Sequence, residues 1–146
     1  KIHEPLEAVV DIRILLRGGA LPSESFCGGC LEYLKENPII PLTDNVYVSA
    51  PDVAPYDLKA TYYISRSDIN NIATIQASIE AAKDTYLSWQ KTKIGRDINP
   101  DALTEFVRAA GGKRVVIESP VFTVIPETSI AIENSVKFVY GGVEDD

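Results

Sequence analysis

Apolar residues recur along this chain with two periods, and those periods divide it into helices and strands. Ile72, Ile75, Ile79, Ala82, Tyr86 and Trp89 are spaced by threes and fours. That spacing predicts one apolar stripe along a helix of about six turns, from about Asn70 to Lys91. Leu103, Phe106, Val107 and Ala110 repeat the pattern in a second helix. Asn99 offers it a side-chain cap, Pro100 needs no amide partner at the first position, and Gly111-Gly112 stop it. Strict alternation marks strands at Val10, Ile12, Ile14 and Leu16, and again at Leu58, Ala60, Tyr62 and Ile64. A helix is expected from Pro22, with Phe26, Cys27, Cys30, Leu31 and Leu34 on one face, ending at Asn37-Pro38 and Pro41. Val46, Val48 and Ala50 suggest a short strand, and Pro51 and Pro55 imply a bend or an edge position after it. Three further strand signals follow: Arg114 to Glu118, Val121 to Ile125, and Ile130 to Tyr140, the last broken at Glu133-Asn134-Ser135 by a hairpin turn.

In order, these elements fit an α+β fold. The expected form is a split βαβ, or ferredoxin-like, sandwich: an antiparallel sheet with helices on one face, one extra helix and a C-terminal hairpin extension. At 146 residues the expectation is a single domain, with residues 120–146 as appended strands.

Charge narrows the function. Net charge is −7, whereas gripping phosphates takes a run of Lys and Arg, so no nucleic-acid partner is expected. The one basic clustering, Lys91, Lys93 and Arg96, is diluted by Asp97 and Asp101 and reads as a solvated helix end. No apolar run approaches the roughly 20 residues that span a bilayer, so no membrane partner is expected either. Lys1-Ile-His-Glu-Pro5 lacks the layout of a signal peptide and an initiator Met.

Reaction chemistry has few carriers here. Cys27-Gly-Gly-Cys30 has the spacing of a redox pair, but both sulfurs lie on the apolar helix face, where a free thiol packs as a small hydrophobe. Structural zinc takes four ligands, and beyond this pair the only other nitrogen or sulfur donor of the right type is His3, so no metal and no cofactor are expected. With one His, a Ser or Cys nucleophile lacks its usual base, and no catalytic residue is assigned. The aromatics divide: Tyr86 and Trp89 continue the stripe in phase and read as core, while Tyr63 lies on the polar side of its strand and is the better interface candidate.

The joint between the two long helices, Trp89-Gln-Lys-Thr-Lys-Ile-Gly95-Arg-Asp-Ile-Asn99-Pro100, is the most specific stretch of the chain. Trp89-Gln90 followed by Lys93 to Pro100 resembles the C-terminal region of baseplate J-like proteins, wedge components of contractile phage tails. Arg17-Gly-Gly19 with Leu21-Pro22-Ser23, Pro41-Leu-Thr-Asp44, Pro51 with Pro55-Tyr56-Asp57, Lys113-Arg-Val115 leading to Ser119-Pro-Val-Phe-Thr123, and Tyr140-Gly-Gly142 with Glu144-Asp145 follow in family order. The resemblance implies a structural, non-enzymatic component of a phage or prophage baseplate, resident in the virion and assembled in the bacterial cytoplasm. Its partners would be other baseplate subunits and copies of itself. The chain would be a fragment of a longer protein, a monomer or weak dimer when free, because a partial interface falls short of the roughly 1,000 Å² of a stable one. Arg96 and Asp97 are expected to fix the joint by charge-assisted hydrogen bonds, with Trp89 and Tyr63 as the other joint or interface candidates. A different class of function, a ferredoxin-like module that binds a small ligand and regulates an attached enzyme, is the alternative.

Overall fold

The computed structural model describes residues 9–36 and 46–146. The backbone gathers into two compact units, Lys1–Pro51 and Asp52–Asp146. The expected helix stop at Asn37-Pro38 and Pro41, the Pro41–Asp44 motif and His3 lie outside the described residues.

In the first unit, β1 (Val10–Arg13) pairs in parallel with β2 (Val46–Ser49), and α1 (Glu24–Glu36) lies between them in the chain. Parallel neighbours need a crossover of this kind, so the sequence signals here assemble as a βαβ unit. Ser23 starts α1: its hydroxyl accepts from the Phe26 N–H at 3.1 Å and its carbonyl from the Cys27 N–H at 3.1 Å. The Arg13 guanidinium holds the Asp11 carboxylate at 2.8 Å and donates to the Ala50 carbonyl at 3.1 Å, tying the strand ends together.

The second unit is a three-stranded sheet in the order β4-β3-β5, with β3 (Asp52–Ser65), β4 (Arg114–Ser119) and β5 (Ser129–Glu144). The alternation in β3 has its expected effect. Tyr56, Leu58, Ala60, Tyr62 and Ile64 are buried, while the residues between them face outward. Against that buried row pack α2 (Ile72–Gln90) through Ile79 and Tyr86, and α3 (Pro100–Ala109) through Leu103 and Val107. All four of those helix residues are fully buried, as the two stripes predict. β4 pairs with Lys59–Tyr63, so among the described residues no strand pairs with Pro55 on that side, and the proline is tolerated there.

Three expectations are corrected. First, the sheet is mixed: β4 is antiparallel to β3, but β5 runs parallel to it from Asp52 opposite Ser129 to Ser65 opposite Glu144. The ferredoxin-like, all-antiparallel arrangement therefore does not form, and the ligand-binding alternative loses the architecture it was drawn from. Second, Glu133-Asn134-Ser135 is not a hairpin turn. It forms a bulge within one 16-residue strand, because Asn134 Nδ2 and Ser135 Oγ donate to Asp57 Oδ1 at 3.2 and 2.8 Å instead of closing a turn. The last strand is thus part of the sheet rather than an appended hairpin: Ser129, Ile130 and Ala131 are buried. Third, Val121–Ile125 is not a strand. It crosses from the end of β4 to the start of β5 and makes one antiparallel bridge, Thr123 to Ile98.

Candidate functional site

The joint after α2 is polar in composition and buried in part. Its centre is Gln90, the last residue of α2 and fully buried. Gln90 lies four residues beyond Tyr86, on the same side of the helix, so it meets the core where an apolar residue would be expected. Its amide is fully used. Oε1 accepts from the Tyr86 hydroxyl and from the Asn99 N–H, both at 3.3 Å. Nε2 donates to the Asp97 carbonyl at 2.8 Å and to the Arg96 carbonyl at 3.4 Å. Burial pushes the Tyr86 hydroxyl up to about 12, so near neutrality it is a proton donor to Gln90. One side chain thereby sets the path of the chain from the end of α2 to the start of α3.

The candidate residues surround this centre. The Arg96 guanidinium lies 4.3 Å from the Trp89 ring centroid, donates to the Trp89 carbonyl and reaches Thr92 Oγ1 at 3.1 Å. A cation over the exposed carbonyls of a helix end complements the helix dipole and fills the acceptors that the last turn leaves open. Trp89 also packs edge-on against Phe106 at 6.4 Å and beside Tyr86 at 6.2 Å, linking α2 to α3. Asp97 turns the other way: its Oδ1 accepts the Ile125 N–H at 3.2 Å. Asn99 caps α3 as expected, its Oδ1 accepting from the Asp101 N–H at 3.1 Å.

These bonds also hold the segment that crosses from β4 to β5. Ile98 and Thr123 exchange both backbone hydrogen bonds, at 2.9 and 3.0 Å, and the Gly95 N–H donates to the Ser129 carbonyl at 2.7 Å. Gly95 has φ 79°, which a side chain would strain. The Lys91 ammonium meets the Glu133 carboxylate at 3.0 Å, tying the end of α2 to β5. Of the basic cluster read from sequence, Lys91 and Arg96 therefore have internal partners.

Trp89, Arg96 and Asp97 come together; Tyr63 does not join them. Its ring lies on the face of the sheet opposite the buried row of β3, where a Cβ at Gly141 of β5 would meet it at 2.4 Å, and Arg114 stands 4.3 Å from its centroid. Sequence reasoning missed Gln90, Ile98 and the anchoring of Thr123 and Ile125. Only Gln90 left a signal: a polar residue in phase with an apolar stripe.

The segment from β3 through both helices to β5 is also what similarity marks out. Residues 56–139, more than half of the chain, match the family model of the baseplate J-like protein C-terminal domain. The chain belongs to the baseplate J-like protein family. No curated protein matches it. The match spans the joint, the crossover and the sheet, so the domain of this baseplate J-like protein carries the Gln90 centre within the matched region. A baseplate J-like domain has a structural role in a phage tail baseplate.

Proposed function

We propose that this chain is an assembly module of a contractile-tail baseplate wedge, holding neighbouring wedge subunits in place around a central hub. Its partners are copies of itself and other baseplate proteins, and its place is the virion tail after assembly in the bacterial cytoplasm. The family match over residues 56–139 carries this reading. The geometry supports it: the joint's side chains are engaged in holding α2, α3 and the crossover in one arrangement, as a load-transmitting part requires. In this reading Trp89, Arg96 and Asp97 keep the module rigid, and Tyr63 belongs to a contact surface.

The test is to purify contractile particles from the source cells and locate the protein by mass spectrometry and gold labelling. Label confined to the baseplate end of the tail is expected, with baseplates missing when the gene is deleted. Intact particles in the deletion strain would refute a wedge role.

A further inference from the structure

We infer that the crossover between β4 and β5 is a self-pairing strand, through which two copies of this chain associate about a two-fold axis beside Thr123. The inference rests on the assembly reading and deepens it, since it names the surface by which copies meet.

The backbone shows which edge is open. Thr123 exchanges both of its hydrogen bonds with Ile98, and the Ile125 N–H is held by Asp97, so residues 123 and 125 turn their amides toward the joint. In an extended segment the amides alternate, which turns those of Phe122 and Val124 to the opposite side. Among the described residues neither amide has a hydrogen-bond partner. The side chains are open as well: Val121, Phe122 and Val124 are 70%, 59% and 73% exposed. Unmade backbone bonds beside exposed β-branched and aromatic side chains form a template for a further strand.

The residues also say which strand fits. Pro120-Val-Phe-Thr-Val-Ile-Pro126 has the same pattern in both directions about Thr123, two apolar residues and then a proline on each side. Antiparallel pairing centred there sets Phe122 of each copy against Val124 of the other, with their outward amides and carbonyls bonding reciprocally. The side chains of Phe122 and Val124 from both copies then form one apolar cluster on a single face. At each end Pro120 of one copy meets Pro126 of the other, and neither can donate, so the ladder ends where the segment ends. The segment carries no charged residue, so the net charge of −7 on each copy does not oppose pairing at the contact itself.

Sedimentation velocity on the full chain, over a concentration series reaching the millimolar range, should show a reversible monomer–dimer equilibrium. The double variant Phe122→Lys, Val124→Lys puts like charges opposite each other and should abolish the dimer with an unchanged melting temperature. In a Cys27→Ala, Cys30→Ala background, Thr123→Cys should cross-link the dimer on mild oxidation. Directly opposed residues of a non-hydrogen-bonded pair lie about 4.5 Å apart between Cα atoms, within disulfide reach. A monomer at every concentration overturns the self-pairing, while the baseplate reading stands or falls on where the protein is found in the particle. A dimer that survives the double substitution, or one that Thr123→Cys never cross-links, overturns it too.

Discussion

Two neighbouring segments of the second unit reverse what their composition suggests. The joint from Gln90 to Asn99 is rich in Lys, Arg, Asp and Gln, yet Gln90 is fully buried and Ile98 nearly so. The crossover from Pro120 to Pro126 is almost entirely apolar, yet Val121, Phe122 and Val124 stand in solvent. The two are held together through the Ile98–Thr123 bridge and the Asp97–Ile125 bond. The difference shows that polarity alone did not decide burial here. A polar side chain is tolerated inside when every donor and acceptor is matched, as in Gln90. An apolar side chain stays outside when its backbone is pinned by neighbours that leave nothing to cover it.

The comparison is broken most sharply by exchanging polarity in each segment. Gln90→Leu keeps the volume roughly constant but leaves the Tyr86 hydroxyl, the Asn99 N–H and the Asp97 carbonyl without their partner. At about 1–3 kcal/mol per unsatisfied buried group, the loss should reach about 3 kcal/mol or more in urea unfolding. Phe122→Ser, measured in dilute monomeric protein, should change stability by less than about 0.5 kcal/mol. Equal losses at the two positions would mean that composition, not hydrogen-bond matching, describes these segments.

A smaller effect sharpens the account of the helix end. Arg96→Ala removes the cation over the Trp89 ring and the donors to Trp89 and Thr92, and should cost about 1 kcal/mol. Arg96→Lys should recover only part of that, because an ammonium lacks the planar fork. If melting is unchanged by Arg96→Ala while particles fail to assemble, Arg96 belongs to an interface and not to the joint.

The smallest effect lies at the bulge. Hydrogen bonds from Ser135 and then Asn134 hold the exposed Asp57 carboxyl below the ordinary carboxylate value. A folded-state value below the unfolded one of about 3.9 adds stability that is present above about pH 4 and fades as pH falls through the folded value. Asp57→Asn should therefore flatten the acid limb of the urea midpoint against pH, through a small loss near neutrality and little change at the acid end. An unaltered acid limb would show that the Asn134 and Ser135 bonds do not persist in solution.

How far this was legible in the sequence follows from the range of each interaction. The stripe through Ile79 and Tyr86, the Asn99 cap and the alternation of β3 are local periodicities, and the structure honours them. The parallel placement of β5 is a pairing between strands far apart in the chain, and no local pattern encodes it. Asn134 and Ser135 resemble turn residues until Asp57, 77 and 78 positions away, takes their donors. Val121–Ile125 has strand composition but finds a partner only at Thr123. At the joint, Arg96 and Asp97 could be read as bonding residues from their charge alone. Gln90 could have been found from its phase, because a polar residue on the buried side of a helix must bring its partners with it.

The central claim is that the joint holds the crossover, and native-state hydrogen exchange tests it most directly. The Ile125 amide, bonded to Asp97 Oδ1, should be protected in the unaltered chain. In Asp97→Ala its exchange should speed up by about tenfold or more, the equivalent of losing one charge-assisted bond, while amides in the centre of β3 keep their protection. An Ile125 amide that exchanges equally fast with and without the Asp97 carboxylate would contradict the account.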